Sequence, residues 1–385
     1  MEAAAFDGST GIVRSLLEHG ADPNKQGGEY GTALQAAAWY EHEDIVSMLL
    51  DHGAQVNAGC LGYFGTALQA ACAASNVDVV KLFIEKGADV NALGGAYGSP
   101  IMAAVQEGMY DTVRILLQNG ADVNVKDDAP LIVEAGYSLG RELIELILDH
   151  GANLEATDDE GTTVLIAVSD SGDKESVEML LRRGANIHAV SEGYGTALSA
   201  AASEGDEECL KVLIDHGGDV NQNARNWGTA LQAASAAGDL DCINLLLDAG
   251  ANVNEKTDTD YGFALQAAAE KRDVTYLQRL VDAGADIHAV GGEYGSALGK
   301  AAASDNVDCM KVLLDHGADV NLRGGEYECA LQGACAKHDT YLCVMILLEH
   351  GADTHLDGGL YGSVFEVRLF SAPPCCVKEV LKRGA

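Results

Sequence analysis

The sequence predicts an all-α solenoid of helix-turn-helix units, each preceded by a turn-rich finger. The first observation behind this is a period. A Gly-Ala pair returns every 31 to 34 residues through the 385-residue chain, at Gly20, Gly53, Gly87, Gly120, Gly151, Gly184, Gly250, Gly284, Gly317, Gly351 and Gly384, with Gly217-Gly218 standing in once. The second is that two apolar stretches with helical spacing recur between successive markers. The third is where length varies. From the Thr position of a unit to the next marker the count is 21 or 22 residues, whereas from marker to Thr position it is 9, 12 or 13. A fixed period in this range marks a stack of small units, none able to bury its apolar face alone. Packed helices hold register while exposed fingers tolerate insertion.

Residues 20–53 serve as the specimen unit. Gly20 to Gly31 is rich in Gly, Asp and Asn without a sustained period, which predicts an extended finger with a tight turn. Thr32 offers a hydroxyl as N-cap for a run of small, good helix formers, Ala33 to Ala38, and small side chains let neighbouring helices approach closely. After the polar break at Glu41 to Glu43, Asp44 is expected to cap a second helix with an apolar stripe of Ile45, Val46, Met48, Leu49 and Leu50. Gly53 then ends that helix as a C-cap glycine.

Composition narrows the function. With 24 Lys plus Arg against 59 Asp plus Glu, the net charge is −35, which repels nucleic-acid backbones and anionic lipid at long range. Neither nucleic acid nor membrane is an expected partner. A basic protein segment is favoured, although surface acid also serves plain solubility. No apolar run approaches the roughly 18 residues a bilayer span needs, and no secretory leader opens the chain. Four of the ten cysteines, Cys209, Cys242, Cys309 and Cys343, sit eight residues before a marker, where other units carry Ile45 or Val79. They read as small core residues with free thiols, which agrees with a reducing, intracellular compartment, cytoplasmic or nuclear.

The marker sequence Gly-Ala-Asp-Val-Asn, as at Gly87 to Asn91 and Gly317 to Asn321, with Thr-Ala-Leu-Gln-Ala-Ala twelve residues on, resembles the ankyrin repeat over essentially the whole chain. The resemblance implies an ankyrin-repeat solenoid with β-turn fingers and two antiparallel helices per unit, binding protein partners on a concave face of finger tips and first helices. More loosely, the array looks like the many-repeat ankyrin tails of large fungal receptor-like proteins. The chain departs from the usual Thr-Pro-Leu-His in having Thr-Ala-Leu-Gln, so Gln35, Gln69, Gln232, Gln266 and Gln332 occupy the histidine position. An amide donates and accepts like a neutral imidazole, so a hydrogen bond that braces the finger is expected to survive.

An aromatic residue occupies one finger place in nine units: Tyr30, Phe64, Tyr97, Tyr194, Trp227, Tyr261, Tyr294, Tyr327 and Tyr361. Two readings stand side by side. The rings form a row of partner-binding anchors, the residue types favoured at interface hot spots, or each packs over the adjacent finger and stabilises the stack. Six histidines, His19, His52, His150, His216, His316 and His350, directly precede a marker and are expected to meet the free carbonyls of a helix end. Zinc spacing, a P-loop and a His-Glu-x-x-His helix are missing from the sequence, Cys335 with His338 being the nearest approach to a metal pair. An open groove is poorly suited to converging a nucleophile, a base and an orienting group. No catalysis, cofactor, metal or small-molecule substrate is expected.

The expected organisation is a single array over 1–385, with a partial first unit at 1–24, an irregular unit at 124–151 whose finger has lost the aromatic element, and a distorted last unit at 356–385. Little is expected ahead of the second helix at Ile12 to His19, and both ends read as cut from a larger protein. The predicted function is a non-catalytic protein-interaction module, with a basic segment as the expected partner. The alternative is a sensor or autoinhibitory repeat tail of a multidomain signalling protein.

Overall fold

The computed structural model of the chain describes residues 1–59, 62–125, 129–138, 140–224, 227–336 and 341–356. The chain divides into two compact units, Met1–Asp159 and Glu160–Ala385. In the first, antiparallel pairs of an inner and an outer helix follow one another: Glu2–Phe6 with Thr10–Glu18, Ala33–Trp39 with Glu43–Asp51, Ala67–Ala73 with Val77–Glu85, Pro100–Gln106 with Tyr110–Gln118, and Leu131–Ser138 with Arg141–Asp149. In the second the pairs are Val164–Asp170 with Lys174–Arg182, Ala197–Glu204 with Glu207–Asp215, Ala230–Ala237 with Leu240–Asp248, Ala264–Ala269 with Val274–Asp282, Ala297–Ala303 with Val307–Asp315, and Ala330–Cys335 with Tyr341–Glu349. Among the described residues the only sheet-like pairing outside helices is an isolated antiparallel bridge, Ser191 with Gly195.

Within each unit the inner helices stack on the inner helices of adjacent repeats, and the outer helices on outer ones. Alanine makes the inner contact close. Ala36, Ala37, Ala38, Ala70, Ala71, Ala103 and Ala104 in the first unit are fully buried. The outer helices bury a narrower stripe, such as Val79, Val80 and Phe83 or Ile45, Val46 and Leu49, each worth about 1.5 to 3 kcal/mol of removed apolar surface. Cys209, Cys242, Cys309 and Cys343 are free thiols in that stripe. Burial pushes the thiol of Cys209 up to about 12 and that of Cys309 to about 11. They are inert core groups.

The marker motif is a helix terminator followed by a link to the next repeat. Gly20 has φ +80 in the left-handed region, its N–H donates to the Leu17 carbonyl at 2.9 Å, and the Ala21 N–H donates to Leu16 at 3.0 Å. This pair of bonds is the Schellman arrangement, which occupies carbonyls the helix end leaves open. The histidine before the marker adds a third. Nδ1 of His19, His52, His150, His216, His316 and His350 lies 2.7 to 2.9 Å from the carbonyl four residues back.

The rest of the motif is explained by its Asp and Asn. Asp22 Oδ1 accepts from the Asn24 N–H at 2.9 Å, a local turn repeated by Asp89, Asp122, Asp219 and Asp319. The Asn four residues after the marker then reaches into the next repeat. Asn24 donates to the Gly53 carbonyl at 3.0 Å and accepts from the Gln55 N–H at 2.7 Å. Asn57, Asn91 and Asn124 repeat both bonds in the first unit, and Asn221, Asn254 and Asn321 in the second. Period and hydrogen bonding are thus coupled: in seven repeats an Asn at the same offset from the marker clamps the next marker.

Two expectations are corrected. Asp44 is not a cap: the second helix starts at Glu43, its N-cap position is His42 without a side-chain bond, and Asp44 is exposed in the first turn. Its carboxylate there favours the helix dipole instead. Caps do form one residue before the helix where that residue is Asn or Asp, as at Asn76, Asp173, Asp206 and Asp239. The start of the chain also holds more than an outer helix, because Glu2–Phe6 packs as an inner helix on Ala33–Trp39. Its five residues carry too few turns to announce a period in sequence.

Candidate partner-binding face

Fingers and inner helices meet along one side of each unit, and hydrogen bonds fix the meeting. Thr32, Thr66, Ser99, Thr163, Thr196, Thr229 and Ser296 accept from the N–H three residues on, as N-caps do. The glutamines in the histidine position reach the following finger. Gln35 donates to Gly65 at 2.9 Å, Gln69 to Gly94 at 2.7 Å and Gly98 at 3.0 Å, Gln232 to Gly262 at 3.0 Å, and Gln266 to Gly295 at 3.2 Å. Gln332 does the same to Leu356 at 3.2 Å. Several fingers are closed on themselves, for example by Gly94 N–H to Gly98 at 2.8 Å and Gly291 N–H to Gly295 at 3.0 Å. Backbone bonds also tie one finger to the preceding one, as Ala96 to Tyr63 at 2.8 Å and Glu326 to Glu293 at 2.7 Å.

On this frame the finger aromatics lie ring against ring. Tyr30, Phe64 and Tyr97 form a ladder in the first unit, with centroids 6.2 Å apart at each step and planes within 11°. Tyr294 and Tyr327 stack at 5.0 Å and 10° in the second. Phe64 and Tyr327 are buried, at 2% and 8% exposure, Tyr30, Tyr97, Tyr194, Tyr261 and Tyr294 are half-buried, and Trp227 is the most open at 38%. Tyr361 lies outside the described residues, as do His338 and nearly all of the last unit, 357–385.

The phenol oxygens face the ends of the inner helices. Tyr97 donates to Glu107 at 2.8 Å and Tyr261 to Glu270 at 2.9 Å, while Tyr30 shares a 2.8 Å bond with Tyr40. Burial and the neighbouring Glu107 push the Tyr97 phenol up to about 12, and burial with Glu270 does the same to Tyr261. For Tyr30 the hydrogen bond it shares with Tyr40 is the main cause of a value of about 12. All three phenols stay protonated at physiological pH. Lys300 adds a cation to this surface: its Nζ lies 5.2 Å from the Tyr261 ring centre, 4.6 Å from that of Tyr294, and 3.3 Å from Glu270.

Two hollows open on the second unit, the larger beside the fingers and the other at the turns between inner and outer helices. The larger, about 570 Å³, is walled by Trp227 and Tyr261, floored by Ala233, Ala236 and Ala237, and edged by Asp258 and Asp260. The other, about 380 Å³, is bordered by Asp170, Glu204, Asp206, Glu207 and Glu208. There burial, then the charge of Glu204, raises the Asp170 carboxyl above the usual carboxylate range. A carboxyl raised in the fold binds its proton more tightly folded than unfolded, so it weakens stability as pH rises past the unfolded value. Asp170→Asn is therefore expected to raise the thermal midpoint near neutral pH and to lose that advantage below about pH 3.5. Equal midpoints at neutral pH would contradict this. In the first unit a hollow of about 290 Å³ is lined by Val123, Asn124, Val125, Pro130, Ile132, Asn153 and Ala156.

Sequence reasoning placed the aromatics and glutamines on one surface but missed the asparagine clamp and the tyrosine–glutamate braces. The constant offset of Asn from the marker was a usable signal for the first. The second carried none, since its two partners lie on different elements. Among the described residues, no group of three His, Cys, Asp or Glu is placed to hold a metal ion, and no helix is long and apolar enough to cross a membrane.

No curated protein matches the chain. A family model described as ankyrin repeats (3 copies) matches residues 58–127, 167–257 and 265–357, and another described as ankyrin repeats (many copies) matches residues 1–50. With the helical pairs, the marker turns and the finger braces in place over those same residues, the chain belongs to the ankyrin-repeat family.

Proposed function

We propose that this chain docks a basic segment of a partner protein along its finger tips and inner helices. Ankyrin repeats are in general protein-interaction modules, and their families are typically non-catalytic. The observation that carries the reading to this face is the joint placement of ring edges and carboxylates there: Tyr97 with Glu107, Tyr261 with Glu270, and Trp227 beside Asp258 and Asp260. Aromatic anchors give contact area at low entropy cost. Carboxylates on the rim steer a cationic partner and act through association rate. The net charge of −35 extends that attraction beyond contact range.

The test uses the full chain as bait at about 50 mM and about 300 mM salt, conditions between which surface attraction is largely screened. Retention of a partner should fall several-fold at the higher salt. Replacing Tyr261, Tyr294 and Tyr327 together by Ala separates anchoring from packing. Because Tyr294 and Tyr327 stack on each other, a lower melting temperature is expected, and well below it retention should still be reduced. Full retention by the folded triple variant would remove the tyrosines from the binding face.

A further inference from the structure

Lys300 occupies a slot whose counterpart one repeat earlier holds no cation among the described residues. It stands four residues after the cap residue Ser296, where the preceding repeat has the fully buried Ala267, four residues after Phe263. Its amine fills the space between the Tyr261 and Tyr294 rings and pairs with Glu270, seven residues after Phe263. Between Trp227 and Tyr261 all three parts change. The lysine is Ala267, and the position of Glu270 is taken by Ala236, seven residues after Thr229. The finger aromatic is an indole instead of a phenol. What remains is the 570 Å³ hollow, walled by one indole and one phenol and carrying the exposed carboxylates of Asp258 and Asp260.

From this we propose that the hollow between Trp227 and Tyr261 receives an arginine side chain of the partner, in the place where Lys300 serves the next repeat from within. The inference rests on the interaction-module reading and names one contact of it. A guanidinium suits the slot for two reasons. Its plane stacks on an indole face, the best of the aromatic surfaces for a cation, and its fork of donors matches carboxylates at the rim. The indole is held for the purpose: Trp227 Nε1 donates to the Glu192 carbonyl at 3.2 Å, which fixes the ring edge and leaves the side chain 38% exposed. The alanine floor supplies an apolar bed for the three methylenes of the arginine stem.

The probe is an acetylated, amidated twelve-residue peptide of alternating Gly and Arg, titrated calorimetrically into the full chain, with a citrulline version as the neutral isostere. The arginine peptide is expected to bind at least about tenfold more tightly than the citrulline one. Trp227→Ala, and separately Asp258→Asn with Asp260→Asn, should each weaken the arginine peptide by about tenfold, in variants whose melting curves match the parent. Ala267→Lys supplies an internal cation and should also exclude the peptide; since position 267 is buried, the tryptophan and aspartate variants are decisive. Arginine-peptide binding unchanged in both would overturn the site while leaving the interaction-module reading standing. No arginine-peptide binding to the parent chain would overturn the site and the basic-partner reading together.

Discussion

Gly295→Ala is expected to destabilise the second unit by more than about 3 kcal/mol, whereas Gly317→Ala costs only about 1 kcal/mol. Both glycines have positive φ, +72 and +85, so both substitutions force an L residue into the left-handed region. The difference is space. A Cβ at Gly317 meets nothing within 4 Å, but one at Gly295 would lie 2.1 Å from the Gly324 carbonyl oxygen and 2.4 Å from its carbon. Backbone of the next finger cannot rotate away as a side chain would. The fingers must separate, which strains the Gly291–Gly295 closure and the Gln266 bond to Gly295. Urea unfolding of the two variants beside the parent chain measures the contrast, and equal losses would mean that the fingers do not press on each other as described.

Gln69→Leu is expected to cost about 3 kcal/mol, from three side-chain hydrogen bonds lost at about 1 kcal/mol each. Gln69 carries a reciprocal capping box, accepting from the Thr66 N–H at 2.7 Å while its own N–H bonds Thr66 Oγ1 at 3.2 Å, and its amide also donates to Gly94 and Gly98. Gln35→Leu provides the internal comparison. Gln35 makes one bond to the next finger, and its Oε1 is buried without a partner, so an apolar replacement also removes an unsatisfied acceptor. Its cost should be near 1 kcal/mol or below. If the two substitutions prove equal, the glutamines act through volume and not through the finger bonds.

Much of the fold was legible because the repeat writes each physical need at a fixed offset. Gly20 and its counterparts need the left-handed region, Thr32 and its counterparts need a hydroxyl, and the alanine runs need to be small, so residue type and position point to the same structure. Asp44 misled because the capping place in that repeat is taken by His42, and one carboxylate close to a helix start resembles another in sequence. Glu2–Phe6 escaped because five residues are too short for periodicity.

The candidate site was less legible, for a reason the aromatic row makes plain. The same finger position yields a buried ring at Phe64, a ring stacked on its neighbour at Tyr294, and an exposed indole at Trp227. What separates Tyr294 from Trp227 is the residue near the end of an inner helix, Glu270 in one repeat and Ala236 in another, together with Lys300 or Ala267. These pairings cross between elements, and a period read along one chain does not display them.

Amide hydrogen exchange on the full chain, with and without the partner retained at low salt, tests the central claim most directly. Binding along fingers and inner helices predicts slowed exchange in the finger at 257–262 and in the helices Ala230–Ala237 and Ala264–Ala269, with little change in the outer helices Leu240–Asp248 and Val274–Asp282. Protection confined to those outer helices would contradict it.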